Sequence, residues 1–341
     1  MTTFFEEEIR SQADVLRRRS AGGARQAQRV AQSWHGITYA LVGARGSSDN
    51  AALFFQYLAG KELGLVVALA TPSLYADDSI LDLSGAGVLV ISQSGRSPGI
   101  AEILAHARRQ HRPCAALTND AASPAALDSD VFIDMGAGPE LAVASTKTFS
   151  SSWHALAQLV SALKGSDLAG LDDVADVVDR VLNSAFEASL PLAALNATRG
   201  LTVVGRGVGA AVASEISLKI REVTGIRSEG YAASDFAHGP MGADGAGTAL
   251  LLVVSEEMTD ELCELTLEGC RRSGMTTVVM RPSMRRDFDC DEEIVIDEDL
   301  ANWSLGLACV VVGQVLALRL GELRGRPIDN SPRLSKVTLD V

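Results

Sequence analysis

Val88-Leu89-Val90-Ile91-Ser92-Gln93-Ser94-Gly95-Arg96-Ser97-Pro98 is the stretch from which the rest of the sequence becomes readable. Four apolar residues of strand type run straight into hydroxyl residues and a glycine, and a helical pattern follows from Gly99 to Arg109. Ser97 reads as the helix N-cap and Pro98 as its first residue, where a missing N–H costs nothing. A strand end, a glycine turn and a helix start gather backbone N–H groups and hydroxyls around one point. The helix dipole favours an anion there. The stretch therefore predicts a phosphate seat. A second turn, Gly46-Ser47-Ser48-Asp49-Asn50, follows the apolar stretch Thr38 to Gly43 and is expected at the same carboxyl edge of the sheet.

Moving outward, the pattern recurs. Arg45-Gly46 returns at Arg206-Gly207, 161 residues on; Val88 to Ile91 returns at Leu250 to Val253, 162 on; Ala115 to Leu117 returns at Thr276 to Val278, again 161 on. Strand-length stretches at Thr38 to Gly43, Gly87 to Ser92, Cys114 to Leu117, Leu201 to Gly205, Thr248 to Ser255 and Thr276 to Met280 alternate with helical patterns. This predicts parallel sheets built from βαβ units, in one α/β domain duplicated in tandem. The joint is expected near the polar stretch Lys164 to Asp179 and the helix after it. The expected division is a helical segment over 1–30, a phosphate-binding domain over 31–170, a second domain over 190–328 and a closing tail over 329–341. In the second copy the cradle reads Val254-Ser255-Glu256-Glu257-Met258-Thr259, whose carboxylates would repel phosphate. Only the first copy is expected to bind it.

Composition sets the surroundings. The 341 residues have room for about two domains, and 47% hydrophobic with 21% charged residues suits packed cores. With 43 acidic and 30 basic residues the formal charge is −13, which supplies no long-range field for nucleic acid or anionic lipid. Neither partner is expected. The five cysteines are odd in number and lack metal-ligand spacing, as for reduced thiols. The start, Glu6 to Glu8 then Arg17 to Arg19, lacks the apolar core of an export signal. A cytoplasmic location is expected, with no metal and no organic cofactor. Leu305 to Leu320 is apolar but contains Gln314 and Arg319, and falls short of the roughly 20 residues a bilayer needs. It reads as a buried helix. Gly205-Arg206-Gly207-Val208-Gly209 after a strand hints at a dinucleotide loop, but Ala210 breaks the G-x-G-x-x-G pattern.

Four motifs together resemble the SIS (sugar isomerase) family, specifically the tandem pair forming the isomerase half of glucosamine-6-phosphate synthase. Ser92 to Gly95 resembles its phosphate turn, Glu140 to Lys147 its inter-strand signature, Glu229 to Pro240 its catalytic loop and Pro332 to Leu339 its closing tail. The resemblance runs from Phe5 to Val341. It implies two flavodoxin-like three-layer αβα domains. It also implies that Ser47, Ser48, Ser92, Gln93, Ser94 and Ser97 hold a sugar phosphate, with Val143 and Ser145 beside the sugar. Glu222 would move a proton between C1 and C2 with Lys219 near it, and His238 would open the pyranose ring. Lys336 would contact the open-chain sugar and can form a Schiff base with a ketose. A homodimer, in which the histidine of one subunit completes the pocket of the other, is implied as well.

The residue types fit that chemistry. Moving hydrogen between adjacent carbons needs one carboxylate that reaches both, and a cation to stabilise the enediol-like oxyanion. Lys219 and Glu222 are three apart in the helical stretch Ala210 to Val223 and so share a face. Alone, that pair reads first as an ordinary exposed helix ion pair. His238 precedes Gly239-Pro240, which puts it on a turn where it can shuttle protons or serve as a bonded loop histidine. Without the resemblance Lys336 reads as a solvated lysine. Glu140 and Lys147 are read as a structural pair and left off the catalytic list.

The expected activity is glucosamine-6-phosphate deamination. Met1-Thr2 opens the sequence, no cysteine precedes Cys114, and about 36 residues before the first strand are too few for a glutamine-hydrolysing domain. Ser234 to Ala237 replaces the Gly-Glu-Leu-Lys that commonly precedes the family histidine, Arg96 replaces an acidic residue, and Arg221 stands where a second lysine is usual. A fructosamine-phosphate deglycase or an aldose–ketose phosphosugar isomerase is the alternative. A reading of another class is a sugar-phosphate-sensing regulator, but no basic helix-turn-helix is legible.

Overall fold

The computed structural model describes residues 2–75, 80–330 and 335–336. In chain order the elements are α1 (Phe4–Arg10), α2 (Gln12–Ser33), β1 (Tyr39–Gly43), α3 (Ser47–Leu63), β2 (Val66–Leu69), β3 (Ala86–Ile91), α4 (Ile100–Arg109), β4 (Cys114–Thr118), α5 (Pro124–Asp128), β5 (Val131–Asp134) and α6 (Lys147–Lys164). There follow α7 (Val174–Glu187), α8 (Leu192–Asn196), β6 (Gly200–Gly205), α9 (Val208–Thr224), β7 (Arg227–Ala232), α10 (Ala233–Ala237), β8 (Thr248–Val253), α11 (Asp260–Arg272), β9 (Thr276–Pro282), β10 (Glu292–Ile296) and α12 (Asn302–Leu323).

Two five-stranded sheets result, ordered β2-β1-β3-β4-β5 and β7-β6-β8-β9-β10. Every pairing is parallel. This is the doubly wound 2-1-3-4-5 order, twice. By packing the chain forms two compact units. One, built on the second sheet, takes residues 1–10, 141–146 and 173–334; the other, built on the first sheet, takes 11–140, 147–172 and 335–341.

The duplication extends to single dihedral angles. Gly46 caps α3 at φ 58° and ψ −130°, and Gly207 caps α9 at φ 59° and ψ −128°. Ser48 N donates to Arg45 O at 3.1 Å, and Gly209 N donates to Arg206 O at 2.9 Å, 161 residues on. A positive φ costs glycine almost nothing, so glycine fits both strand-to-helix corners.

The six strands legible in the sequence are the three central strands of each sheet. Their apolar runs follow from burial on both faces: β3 and β4 are buried at every position. The four strands that were not legible, β2, β5, β7 and β10, are the sheet edges. There burial is partial and polar residues intrude, as in Arg227-Ser228-Glu229-Gly230-Tyr231-Ala232.

Each unit has a largely buried helix at its core. In the first-sheet unit it is α6, packed on α2 and α3, with Trp153 stacked on Phe54 at 3.7 Å. In the second-sheet unit it is α12, packed on α7 and α9. By length and hydropathy α12 could span a bilayer, but 94% of its most apolar window is buried inside the protein. The apolar run Leu305 to Leu320 is thus a core helix, as read from the sequence.

Candidate functional site

In the first-sheet unit, β3 delivers Ser92 into a tight turn at the carboxyl edge. Gly95 N donates to Ser92 O and to Ser92 Oγ, each at 3.1 Å. Gly95 itself sits at φ 63°, and a Cβ there would lie 2.1 Å from Ser123 Oγ. Any side chain would both strain the backbone and collide. Arg96 N donates to Ser94 Oγ at 3.3 Å. Asn119 N donates to Gln93 O at 3.1 Å and fastens the turn to the loop after β4.

Two sequence expectations are corrected here. Ser97 is not the N-cap of the next helix, because α4 begins at Ile100 with Gly99 in the cap position at φ 81°. Ser97 Oγ instead meets Ser92 Oγ at 2.9 Å, so its hydroxyl closes the turn. Ser47 and Ser48 lie not in a free loop but in the first turn of α3, behind Gly46. That position still suits anion binding, since the first N–H groups of a helix lack intrahelical partners. Ser92 is buried with its hydroxyl committed to the turn, whereas Gln93 and Ser94 are half-buried.

The same unit holds Lys336. Its Nζ donates to Glu140 Oε2 at 2.6 Å. Glu140 is buried, and it also accepts from Thr148 Oγ1 at 2.7 Å and Thr148 N at 3.0 Å. Burial by itself would raise this carboxyl. Lys336 and Thr148 outweigh burial and hold it below its ordinary value. The remaining tail positions named in the sequence, Pro332 to Leu334 and Val337 to Leu339, lie outside the described residues.

In the second-sheet unit, α9 runs from Val208 to Thr224 and carries Lys219 and Glu222, one turn apart. Lys219 Nζ donates to Glu222 Oε2, and it lies 3.6 Å from Glu215 Oε1 on the preceding turn. Lys219 and Glu215 are buried, while the Glu222 side chain keeps 19% exposure. The exposed ion pair is therefore excluded: the ammonium is sunk between two carboxylates, one of which reaches solvent. Glu215 was missed by sequence reasoning, although its i−4 spacing to Lys219 was a usable signal.

His238 follows α10 and precedes a short 3-10 turn over Pro240–Ala243. Phe236, fully buried, pins α10 to the core, and His238 is displayed two residues later as an exposed side chain. Val143 N donates to Asp329 O at 3.0 Å, and Asp329 Oδ1 accepts from Phe5 N at 2.8 Å, which ties the 141–146 segment and α1 to the chain after α12. Ser145 is half-buried. A cavity of about 350 Å³ in this unit is walled by Arg199, Arg227, Glu229, Tyr231 and Asp244. Its walls come largely from the amino-terminal residues of β6, β7 and β8, opposite to the edge where open α/β sheets place ligands.

The second copy's turn keeps the hydrogen bond and differs in its side chains. Met258 N donates to Ser255 O at 3.1 Å, yet Met258 is fully buried in the core. The Glu257 carboxylate lies over Gly207 at the start of α9, with its Cδ 2.7 Å from where a Gly207 Cβ would be. It accepts from Asn302 Nδ2 at 2.5 Å. Among the described residues no group of three or more His, Cys, Asp or Glu has a metal-binding arrangement.

Comparison with known proteins agrees with this architecture. The SIS domain family matches residues 39–162 and 195–319. Glutamine–fructose-6-phosphate aminotransferase [isomerizing] of Sulfurisphaera tokodaii is 27% identical over 301 residues, covering 87% of this chain and 49% of the relative. That of Lactiplantibacillus plantarum is 28% identical over 261 residues, covering 73% and 42%. The chain spans about half the length of these curated relatives. Among solved structures, a proposed phosphosugar isomerase from Silicibacter pomeroyi DSS-3 is 30% identical with a TM-score of 0.83, covering 96% of this chain and 99% of that one. The C-terminal domain of glucosamine-fructose-6-phosphate aminotransferase from Francisella tularensis, 20% identical, shares the fold with a TM-score of 0.86 over 97% and 99%. With both five-stranded units matched, and a 30% identical relative covered almost end to end, the chain belongs to the SIS-domain family.

Proposed function

We propose that this protein is a phosphosugar deaminase that converts glucosamine 6-phosphate to fructose 6-phosphate and ammonia. The observation that carries the reading is on α9: a buried ammonium, Lys219, held between Glu215 and Glu222, of which Glu222 alone reaches solvent. A carboxylate fixed beside a cation suits proton transfer between adjacent carbons, where negative charge develops on oxygen. The turn at Ser92 to Ser97 with the start of α3 at Ser47 and Ser48 supplies backbone N–H groups and hydroxyls for the phosphate. The similarity to phosphosugar isomerases and to aminotransferases acting on fructose 6-phosphate supports the substrate class.

In this mechanism His238 shuttles the proton that opens the pyranose. Glu222 removes the proton from C2 and returns it to C1, while a second proton passes from the amine nitrogen to O1; the C1 aldehyde and C2 amine become a C1 alcohol and a C2 imine. Water adds to the imine carbon, the C–N bond breaks, and ammonia leaves with a ketone at C2. Lys219 and Lys336 act as cations, and Val143 and Ser145 flank the sugar. The protein works in the cytoplasm as a homodimer whose subunits complete each other's pockets.

Purified protein should release ammonia from glucosamine 6-phosphate in a coupled assay run across hexosamine and fructosamine phosphates, with Glu222→Gln as control. Ketose formation from an aldose phosphate without ammonia would replace deamination by simple isomerisation, an activity named for a tagatose-6-phosphate ketose/aldose isomerase of Escherichia coli that shares this fold at 16% identity. Binding without turnover of any phosphosugar would favour the sensing role. Gel filtration at working concentration should show a dimer.

A further inference from the structure

We infer that Glu140 is the positioning residue for Lys336, an inference that rests on the proposed contact between Lys336 and the open-chain sugar. Lysine has four flexible side-chain bonds, so its backbone alone does not fix where the ammonium sits. Glu140 does. Its side chain is wholly buried, and both carboxylate oxygens are clamped by Thr148 in the first turn of α6, through the backbone N–H at 3.0 Å and the hydroxyl at 2.7 Å. The carboxylate cannot swing. Lys336 Nζ lies 2.6 Å from Oε2, a contact between residues 196 apart in sequence.

The chemistry of the pair is directional. An ammonium carries three N–H donors; the clamped carboxylate takes one and orients the others. Lys336 retains 22% exposure, so the remaining N–H groups are open to a ligand oxygen. The clamped carboxylate thereby holds the Lys336 ammonium in one place. Thr148 sets Glu140, and Glu140 sets Lys336.

The test uses the full chain and the variants Glu140→Gln, Glu140→Asp, Lys336→Met and the double Glu140→Gln/Lys336→Met. In the activity arm, Glu140→Gln lowers kcat about thirty-fold with KM within about three-fold, Glu140→Asp falls between it and the parent, and the double variant is no slower than Lys336→Met. Losses that multiply in the double variant overturn the inference, because a carboxylate serving only to hold α6 would act independently of Lys336. In the second arm, lysine acetylation is followed site by site with mass spectrometry. Lys336 should react at least five-fold more slowly than exposed lysines in the parent and lose that protection in Glu140→Gln. Equal rates in parent and variant also overturn it. If Glu140→Gln fails to fold, Glu140→Asp and the labelling of the parent decide. The labelling arm needs no turnover, so an inactive parent with a protected Lys336 refutes the deaminase reading and leaves the ion pair standing.

Discussion

The two halves of this molecule begin from one backbone plan and end with different jobs. Gly46 and Gly207 have dihedral angles within a few degrees of each other, and both sheets share one strand order. The turns after β3 and β8 then part company. The first has Gly95 in the left-handed region, which leaves a turn lined by Ser92, Ser94 and Ser97. The second has Met258, which folds inward to fill the core, while Glu257 lays its carboxylate on the start of α9. A helix N-terminus favours negative charge from any source. In the second copy that place is filled by the chain's own Glu257 carboxylate. The corner is the same in both copies, and α9 carries Lys219, Glu215 and Glu222 in ion contact.

If that division of labour is correct, damage to the two copies should separate cleanly in kinetics. Glu222→Gln should lower kcat about a thousandfold with KM nearly unchanged, since a general base contributes on that scale; steady-state ammonia release checks it. A fall of less than tenfold would move the base elsewhere.

The core helices extend the contrast. The buried face of α12 is almost wholly aliphatic, with Gln314 as its main polar exception. That of α6 carries Ser150, Ser151, Ser152, His154 and Gln158. Burial first, and then Arg19, whose Nη1 lies 3.5 Å from His154 Nδ1, push the His154 imidazole down to about 3. Burial likewise brings the Arg19 guanidinium down to about 10. Below the ordinary histidine value of about 6.5 the unfolded chain takes up a proton that the folded one refuses. His154 therefore contributes stability fully above pH 6.5 and loses it progressively towards pH 3. At its greatest this amounts to something on the order of 4 kcal/mol. Urea unfolding at pH 7.5 and 4.5 should show a steeper acid loss for the parent than for His154→Gln; equal losses would remove His154 from the account.

On the phosphate side, Ser94→Ala should raise the KM for the sugar phosphate about tenfold with kcat nearly intact, as expected for one hydrogen bond to a charged group. Ser92→Ala should act differently. Its hydroxyl braces Gly95 and Ser97 within the turn, so it should lower the melting temperature as well as raise KM.

What the sequence disclosed follows burial and distance. Central strands such as β3 and β9 announce themselves because burial on both faces leaves long apolar runs. Edge strands such as β10, with Glu292 and Glu293 at its start, carry a mixed pattern that a loop can share. The Ser92 turn was legible because strand, glycine and helix adjoin in sequence. The N-cap role given to Ser97 failed because Gly99 offered a later corner and Ser92 offered the hydroxyl a partner. Glu140 was read as a structural pair with Lys147, whereas the ammonium it meets is that of Lys336, 196 residues away. Local pattern carries no such information, and the family resemblance brought the tail into view without assigning it a counter-charge.

The smallest expected effect is the sharpest test of what the second copy gave up. Glu257→Gln keeps shape and the bond from Asn302 but removes the charge at the start of α9. A carboxylate at a helix N-terminus contributes about 0.3–1 kcal/mol when exposed and up to about 2 when partly buried. The variant should therefore melt a few degrees lower, with the activity on phosphosugar unchanged. Adding inorganic phosphate should stabilise parent and variant alike through the first copy, and Ser94→Ala should weaken that response in both. Were Glu257→Gln to gain a second, Ser94-independent response to phosphate, the seat on α9 would be intact beneath its own carboxylate. Met258 argues against that outcome: its side chain is committed to the core, so neutralising Glu257 does not restore the turn that a phosphate needs.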